Sequence, residues 1–257
     1  MTLYVGTSGW EYAHWRGRFY PRAPGPHDDL AYYAARLATV EVNGTFYRLP
    51  DADVFDDWAR RTPDDFVFAI KASRYLSHIK RLKEPAEPVE RLMSRARRLG
   101  AKLGPVLLQL PPNMRRDAGR LRETLRAFGP ATRVAVEFRE ASWFAEEVRA
   151  LLAAHNAALC LADRESRLVT PEWRTADWGY IRFHYGTGSP PGGYGRAALD
   201  ARAALLRRLF GDADVYAYFN NDGYACALRD ARTFALAAAR HGLKPTRVPG
   251  PHDVRVG

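Results

Sequence analysis

Nowhere in this sequence do about 18 uncharged apolar residues follow one another, the minimum for a membrane-spanning helix, so no span and no membrane partner are expected. Cysteine is scarce. Cys160 and Cys226 stand alone, without metal-ligand spacing or a disulfide framework, and read as structural thiols of a reducing, cytoplasmic compartment. The opening Met1-Thr2-Leu3-Tyr4-Val5-Gly6 lacks the basic-then-apolar order of a secretory signal and reads directly as a strand. Tight metal motifs such as HExxH are absent, as are internal repeats and any Gly-, Ser- or Pro-rich linker dividing two cores. Acid is in short supply: 29 Asp and Glu face 39 Lys and Arg, a net charge of +10.

What is present suits one large α/β domain over 1–257. The hydrophobic fraction of 47% is ample for a packed core, and 26% charged residues argues against disorder. Short β-rich runs alternate with helical ones. Strands are predicted at Leu3–Ser8, Thr39–Asn43, Phe66–Lys71, Pro105–Leu110, Arg133–Arg139, Ala157–Asp163, Trp178–His184 and Asp214–Asn220. Helical patterns fall at Asp28–Leu37, Val54–Arg61, Glu87–Leu103, Asp117–Phe128, Ser142–Ala154, Leu199–Phe210 and Ala225–His241, with Asp28, Asp117 and Ser142 as candidate caps. Only Arg164–Ala176, where a sixth helix belongs, reads as irregular chain. Eight strands with alternating helices predict a TIM-type (β/α)8 parallel barrel.

In such a barrel alternate residues face the bore, and chemistry gathers at the C-terminal rim. Parity places Glu41 with Asn43, Lys71, Gln109, Glu137 with Arg139, Asp163, Arg182 with His184, Tyr218 with Asn220, and Ser8 at the strand ends. Unpaired charge inside an apolar barrel costs several kcal/mol, so a polar group on every strand points to a pocket. The opposing reading is an internal network, Glu137–Arg182 and Glu41–Lys71, that plugs the barrel and binds nothing.

Within a pocket, Glu41, Glu137 and His184 are the candidate acid–base groups. Lys71, Arg139 and Arg182 form a cationic arc for a carboxylate or phosphate, while Asn43, Gln109, Tyr218 and Asn220 would orient hydroxyls or amides. The glycines of Gly186-Thr187-Gly188-Ser189 offer either a phosphate cradle or a lid. Glu41, Glu137, Asp163 and His184 could ligate a metal, but three cations in the same bowl oppose it, and neither metal nor cofactor is expected. Gln109 and His184 stand where familiar retaining-glycosidase barrels carry glutamates. The aromatics Trp10, Tyr12, Trp15, Phe19 and Tyr20 read mainly as the closure of a loop, with Trp10 the candidate ligand contact. Phe46 and Tyr47 share that ambiguity.

Several segments carry a family resemblance. Gly6-Thr7-Ser8-Gly9-Trp10, with Tyr12, Trp15, Gly17 and Phe19-Tyr20-Pro21, resembles the opening of the DUF72, or YecE-like, family. So do Val40-Glu41-Val42-Asn43-Gly44-Thr45-Phe46-Tyr47 with Pro50, Phe68-Ala69-Ile70-Lys71-Ala72 with Ser77-His78, and Gly104-Pro105-Val106-Leu107-Leu108-Gln109-Leu110-Pro111-Pro112. Val136-Glu137-Phe138-Arg139 with Ser142-Trp143, Arg182-Phe183-His184 and Tyr218-Phe219-Asn220-Asn221-Asp222 continue it in order. The resemblance implies a TIM-type barrel and brings no established reaction. Glu140, Tyr185-Gly186 and Leu228-Arg229-Asp230-Ala231 depart from the usual family pattern near the rim.

The expected function is a cofactor-independent acid–base enzyme acting on a small anionic or polyhydroxylated substrate. Two alternatives remain at this stage. One is a nucleic-acid-binding protein using the basic stretch 80–126, which supplies +8 of the charge with thirteen Lys and Arg against five acids between His78 and Arg126. The other is a small-molecule binder without turnover.

Overall fold

The computed structural model describes residues 2–22 and 28–256. Eight parallel strands close into a barrel: β1 (Leu3–Thr7), β2 (Thr39–Val42), β3 (Val67–Lys71), β4 (Leu103–Gln109), β5 (Val134–Glu137), β6 (Ala158–Arg164), β8 (Gly179–Tyr185) and β9 (Val215–Phe219). Pairing of β5 with β6 and of β9 with β1 completes the ring. A two-residue strand, β7 (Arg167–Leu168), folds back antiparallel on β6 and takes the place of the sixth helix. Around the ring lie α1 (Asp29–Ala34), the single turn α2 (Gly44–Tyr47), α3 (Ala52–Arg60), α4 (Ala86–Ala96), α5 (Ala118–Phe128), α6 (Glu146–Ala154), α7 (Arg196–Phe210) and α8 (Cys226–Arg240).

The two-residue side-chain period of each strand creates two separate apolar layers. Outward residues such as Val40, Phe68, Ile70, Val106, Leu108 and Phe183 join the helices in the larger one. Each fully buried Leu or Phe there contributes about 1.5–3 kcal/mol. The second layer lies within the bore. It sets small Ala69, Ala135, Ala158 and Cys160 opposite bulky Trp178, Tyr180, Tyr216 and Tyr218, so the lower barrel is filled. Tyr4 stacks on Tyr216 at 4.7 Å toward the N-terminal end. Gly6 permits the close β1–β2 approach, because a Cβ there would lie 2.3 Å from the Thr39 carbonyl oxygen.

Local chemistry fixes the helix ends. Asp28 and Asp117 cap α1 and α5 by accepting from the amides of Ala31 and Arg120. Ser142 does not cap α6. It belongs to a 3-10 turn over Ala141–Trp143, its hydroxyl accepting from the Arg116 amide, and α6 starts only at Glu146. The single helix expected over Glu87–Leu103 ends at Ala96. A tight turn follows, in which Gly100 takes φ 57°, and Leu103 already belongs to β4.

Candidate functional site

At the C-terminal end of the bore, Arg182 on β8 lies between Glu41 on β2 and Glu137 on β5. Its Nη2 donates to Glu41 Oε1 at 2.7 Å and its Nη1 to Glu137 Oε2 at 2.6 Å. The Ser8 hydroxyl and the Tyr180 phenol each donate to Glu41 at 2.7 Å. Arg139 Nε donates to Glu137 Oε1 at 3.0 Å. Both carboxylates are fully buried. Burial alone would raise their pKa values, but Arg182 foremost, helped by Lys71 at Glu41 and by His184 and Arg139 at Glu137, holds both below the usual range. Neither is a proton carrier near neutral pH, so the expected exchange between the two glutamates does not fit the geometry. They are fixed anions beneath the rim, in a network close to the plug the sequence allowed, except that Arg182 rather than Lys71 satisfies Glu41.

Above this network the barrel is open. A cleft of about 540 Å³ is lined by Lys71, Arg139, Gln109, Asn43, Asn220 and Arg182, together with Tyr12, Phe46, Tyr47, Arg74 and His78. The bowl and the plug therefore coexist, one above the other. Lys71 ends β3 with its ammonium 4.5 Å from the Phe46 ring centre, and no carboxylate oxygen among the described residues lies within 4.0 Å of it. Desolvation, assisted by Arg182 and opposed by Glu41 and Glu137, lowers its pKa to about 8. Gln109 Oε1 accepts from Arg139 at 3.1 Å. Asn43 Oδ1 and Arg182 Nε are buried without a hydrogen-bond partner among the described residues.

His184 stands behind the cleft wall. Asn220 Nδ2 lies 3.4 Å from its Nδ1, and its Nε2 is 3.2 Å from Glu137 Oε1, an arrangement that places the ring proton on Nε2. Burial lowers its pKa despite the Glu137 charge, so the neutral form is favoured, and the ring lies beside Glu137 without a well-aligned hydrogen bond to it among the described residues. The histidine on the cleft itself is His78, from a single π-helical turn over Tyr75–Ile79. Its Nδ1 lies 2.9 Å from the Ser77 hydroxyl, and desolvation followed by the charges of Lys71 and Arg139 lowers its pKa. Arg74, His78 and Tyr12 were missed as site residues because they lie on turns, where strand parity gives no guidance. The Ser77-His78 pair of the family resemblance was the available signal for one of them.

Four further sequence-predicted site residues lie elsewhere. Asp163 pairs in register with Phe183, whose ring is in the outer layer, and so points toward the helices, where it binds Arg202 Nε of α7 at 2.5 Å. The inward neighbour on β6 is Ala162, in register with Arg182. With Asp163 outside, the four-residue metal set does not assemble, and no group of three His, Cys, Asp or Glu side chains converges on an ion site among the described residues. Trp10 is buried in the outer layer, edge-on to Trp58 at 5.4 Å, and does not line the rim cleft. Tyr218 faces the bore below the cleft, bonded to the Thr39 hydroxyl at 2.7 Å. Ser8 faces the bore and serves Glu41, not the open space.

Two further segments were candidates for binding. The amides of Gly186, Thr187 and Gly188 are taken by Gly192, Ser166 and Gly193 at 2.9, 3.1 and 2.7 Å, so that loop has no free cradle for a phosphate. On the basic stretch 80–126, eight of the thirteen cations lie within 4.0 Å of a carboxylate, most of them exposed pairs that neutralise the surface locally. No helix among the described residues is long and apolar enough to cross a membrane.

A closed parallel barrel with a polar, cation-rich cleft at its C-terminal rim defines a TIM-type α/β protein. The model of the family described as "Protein of unknown function DUF72" matches residues 4–252, and the chain belongs to that family. A DUF72 family protein from Thermotoga maritima has a solved structure that superposes with a TM-score of 0.77 at 28% identity, covering 92% of this chain and 98% of that one. One from Enterococcus faecalis gives 0.78 at 16% identity, covering 92% and 95%. Among curated proteins, UPF0759 protein YecE of Escherichia coli is 30% identical over 109 residues, 42% of this chain and 38% of that protein. UPF0759 protein YunF of Bacillus subtilis is 26% identical over 151 residues, 55% of this chain and 52% of its own. The matched segments thus span about two fifths and about half of these relatives' lengths.

Proposed function

We propose that the rim cleft binds a small phosphate- or carboxylate-bearing substrate and transforms it by proton transfer, without a redox cofactor. The single observation that carries this reading is the charge balance of the cleft. Glu41 and Glu137 are sealed beneath Arg182, so the space above meets only cations and neutral polar groups, with Lys71 and Arg74 free of any ion pair among the described residues. A small anion entering there gains charge-assisted hydrogen bonds from Arg139 and Lys71 at a site already partly desolvated.

The proton carriers in this reading are Lys71 and His78, not the glutamates. Both face the cleft; desolvation brings Lys71 down to about 8, toward the range where proton exchange at neutral pH is fastest, and lowers His78 below its ordinary value, which favours its free-base form. Arg182 and its two carboxylates fix the floor against which the substrate is oriented.

The test is calorimetric titration with sulfate and phosphate, followed by a thermal-shift screen of small phosphorylated and carboxylated compounds. Lys71→Ala and Arg139→Ala should each weaken anion binding about tenfold, the loss of one charge-assisted hydrogen bond of about 1.4 kcal/mol. Wild-type affinity in both variants, or no anion response in the wild type, overturns the reading.

A further inference from the structure

We propose that Lys71 is a covalent attachment site: its amine condenses with the carbonyl of a small anionic aldehyde or ketone to form an imine. This rests on the anion-binding reading of the cleft and names the substrate class it would take. The position of the side chain carries the inference. A structural lysine ordinarily ends in a carboxylate or a backbone carbonyl. Lys102 in this chain does so, its amine donating to the carbonyls of Ala59 and Thr62 at 2.6 Å each. Lys80 pairs with Glu84 at 2.7 Å. The Lys71 amine has neither kind of partner among the described residues. It ends in a cleft, against the face of Phe46, with only a small part of the residue exposed.

Its neighbourhood suits carbonyl chemistry for two reasons. An amine attacks a carbonyl only as the free base, and partial burial together with nearby guanidinium groups favours that form. One of those groups, Arg139, lies on the cleft with Arg74, and the two can hold the carboxylate or phosphate of the incoming molecule, leaving its carbonyl carbon beside the nitrogen. The reaction balances without an oxidant or a metal. The Nζ lone pair forms the N–C bond, the carbon–oxygen bond breaks, and the oxygen leaves as water with the two amine protons. One further proton from solvent or from His78 gives the iminium ion. The iminium then withdraws electrons from the adjacent carbon, which allows a proton to be removed there by the same acid–base groups.

The sequence supplies an internal control, because Lys71 has only four other lysines beside it: Lys80, Lys83, Lys102 and Lys244. The full chain is incubated at pH 7.5 with sodium cyanoborohydride and either pyruvate or dihydroxyacetone phosphate. Acetone serves as the uncharged comparison, and the adducts are mapped by peptide mass spectrometry. The proposal expects Lys71 to carry at least tenfold more reduced adduct than any other lysine with one of the two anions, and inorganic phosphate to suppress it. The arm that labels distinguishes a 2-oxo acid from a phosphorylated ketone. Lys71→Arg should lose the adduct. Labelling spread evenly over the five lysines, or absent from Lys71 while phosphate still binds, overturns the imine and leaves the anion site standing. Absence of both adduct and phosphate binding overturns the anion site as well.

Discussion

Replacing Arg182 by methionine keeps an unbranched chain of similar reach and removes the one cation that both buried glutamates share. In the wild type that guanidinium is 2.7 Å from Glu41 and 2.6 Å from Glu137, and both carboxylates are wholly buried. Without it Glu137 still has Arg139 at 3.0 Å, whereas Glu41 keeps only the neutral donors Ser8 and Tyr180 and must be protonated to remain inside. Neutralising a carboxylate whose unfolded pKa is about 4.3 costs about 1.36 kcal/mol per pH unit above that value, so the pH-dependent penalty at Glu41 is about 3.7 kcal/mol at pH 7 and about 1 kcal/mol at pH 5. The sign is opposite to that of the wild type. There the folded pKa values are depressed, so the contribution is fully present above about pH 4.3 and fades as pH falls below it. In the variant the folded pKa of Glu41 is raised, and stability is lost as pH climbs through the same point. Urea unfolding of both proteins at pH 5 and pH 7 measures the gap. The gap should widen by about 3 kcal/mol on going to pH 7. Adding Glu41→Gln to the methionine variant should abolish that pH dependence. A gap that stays constant between the two pH values refutes the account of a charge network held by one arginine.

Further outcomes follow from the same geometry. Sulfate keeps one charge over the working range, so its affinity should be highest below pH 8 and fall as pH rises through about 8, where Lys71 loses its proton; titration calorimetry from pH 6.5 to 9.5 checks this, and a flat profile removes Lys71 from the anion site. Asp163→Asn should destabilise the fold by about 3 kcal/mol, since it strands Arg202. It should leave sulfate affinity unchanged, and a large loss of affinity would return Asp163 to the cleft. Trp10→Ala should cost about 3–5 kcal/mol as a core cavity with no effect on ligand affinity, read from urea melts and calorimetry on the same sample.

Much of the barrel was legible because its strands carry strong two-residue alternation. Phe68 and Ile70 against Ala69 and Lys71, or Val136 against Ala135 and Glu137, assign both faces without ambiguity. The same rule, applied with care, places Asp163 correctly: it shares parity with Leu159 and Leu161, which face the helices. Its carboxylate invited an inward reading, whereas an arginine on α7 was waiting outside. No local pattern reveals such a partner 39 residues away. Arg74 and His78 escaped notice for a different reason. They sit on an irregular turn whose direction is set by tertiary packing rather than by periodicity. The roles of Glu41 and Glu137 also needed the structure. Sequence puts both at the rim, but the fold alone brings Tyr180, two residues before Arg182 on the same strand, to complete the seal around Glu41.

The lower bore is filled by Trp178, Tyr180, Tyr216 and Tyr218 against a wall of alanines. Among the described residues the rim cleft therefore does not continue through the bore. A ligand held there, as proposed, would have to come and go by the same mouth.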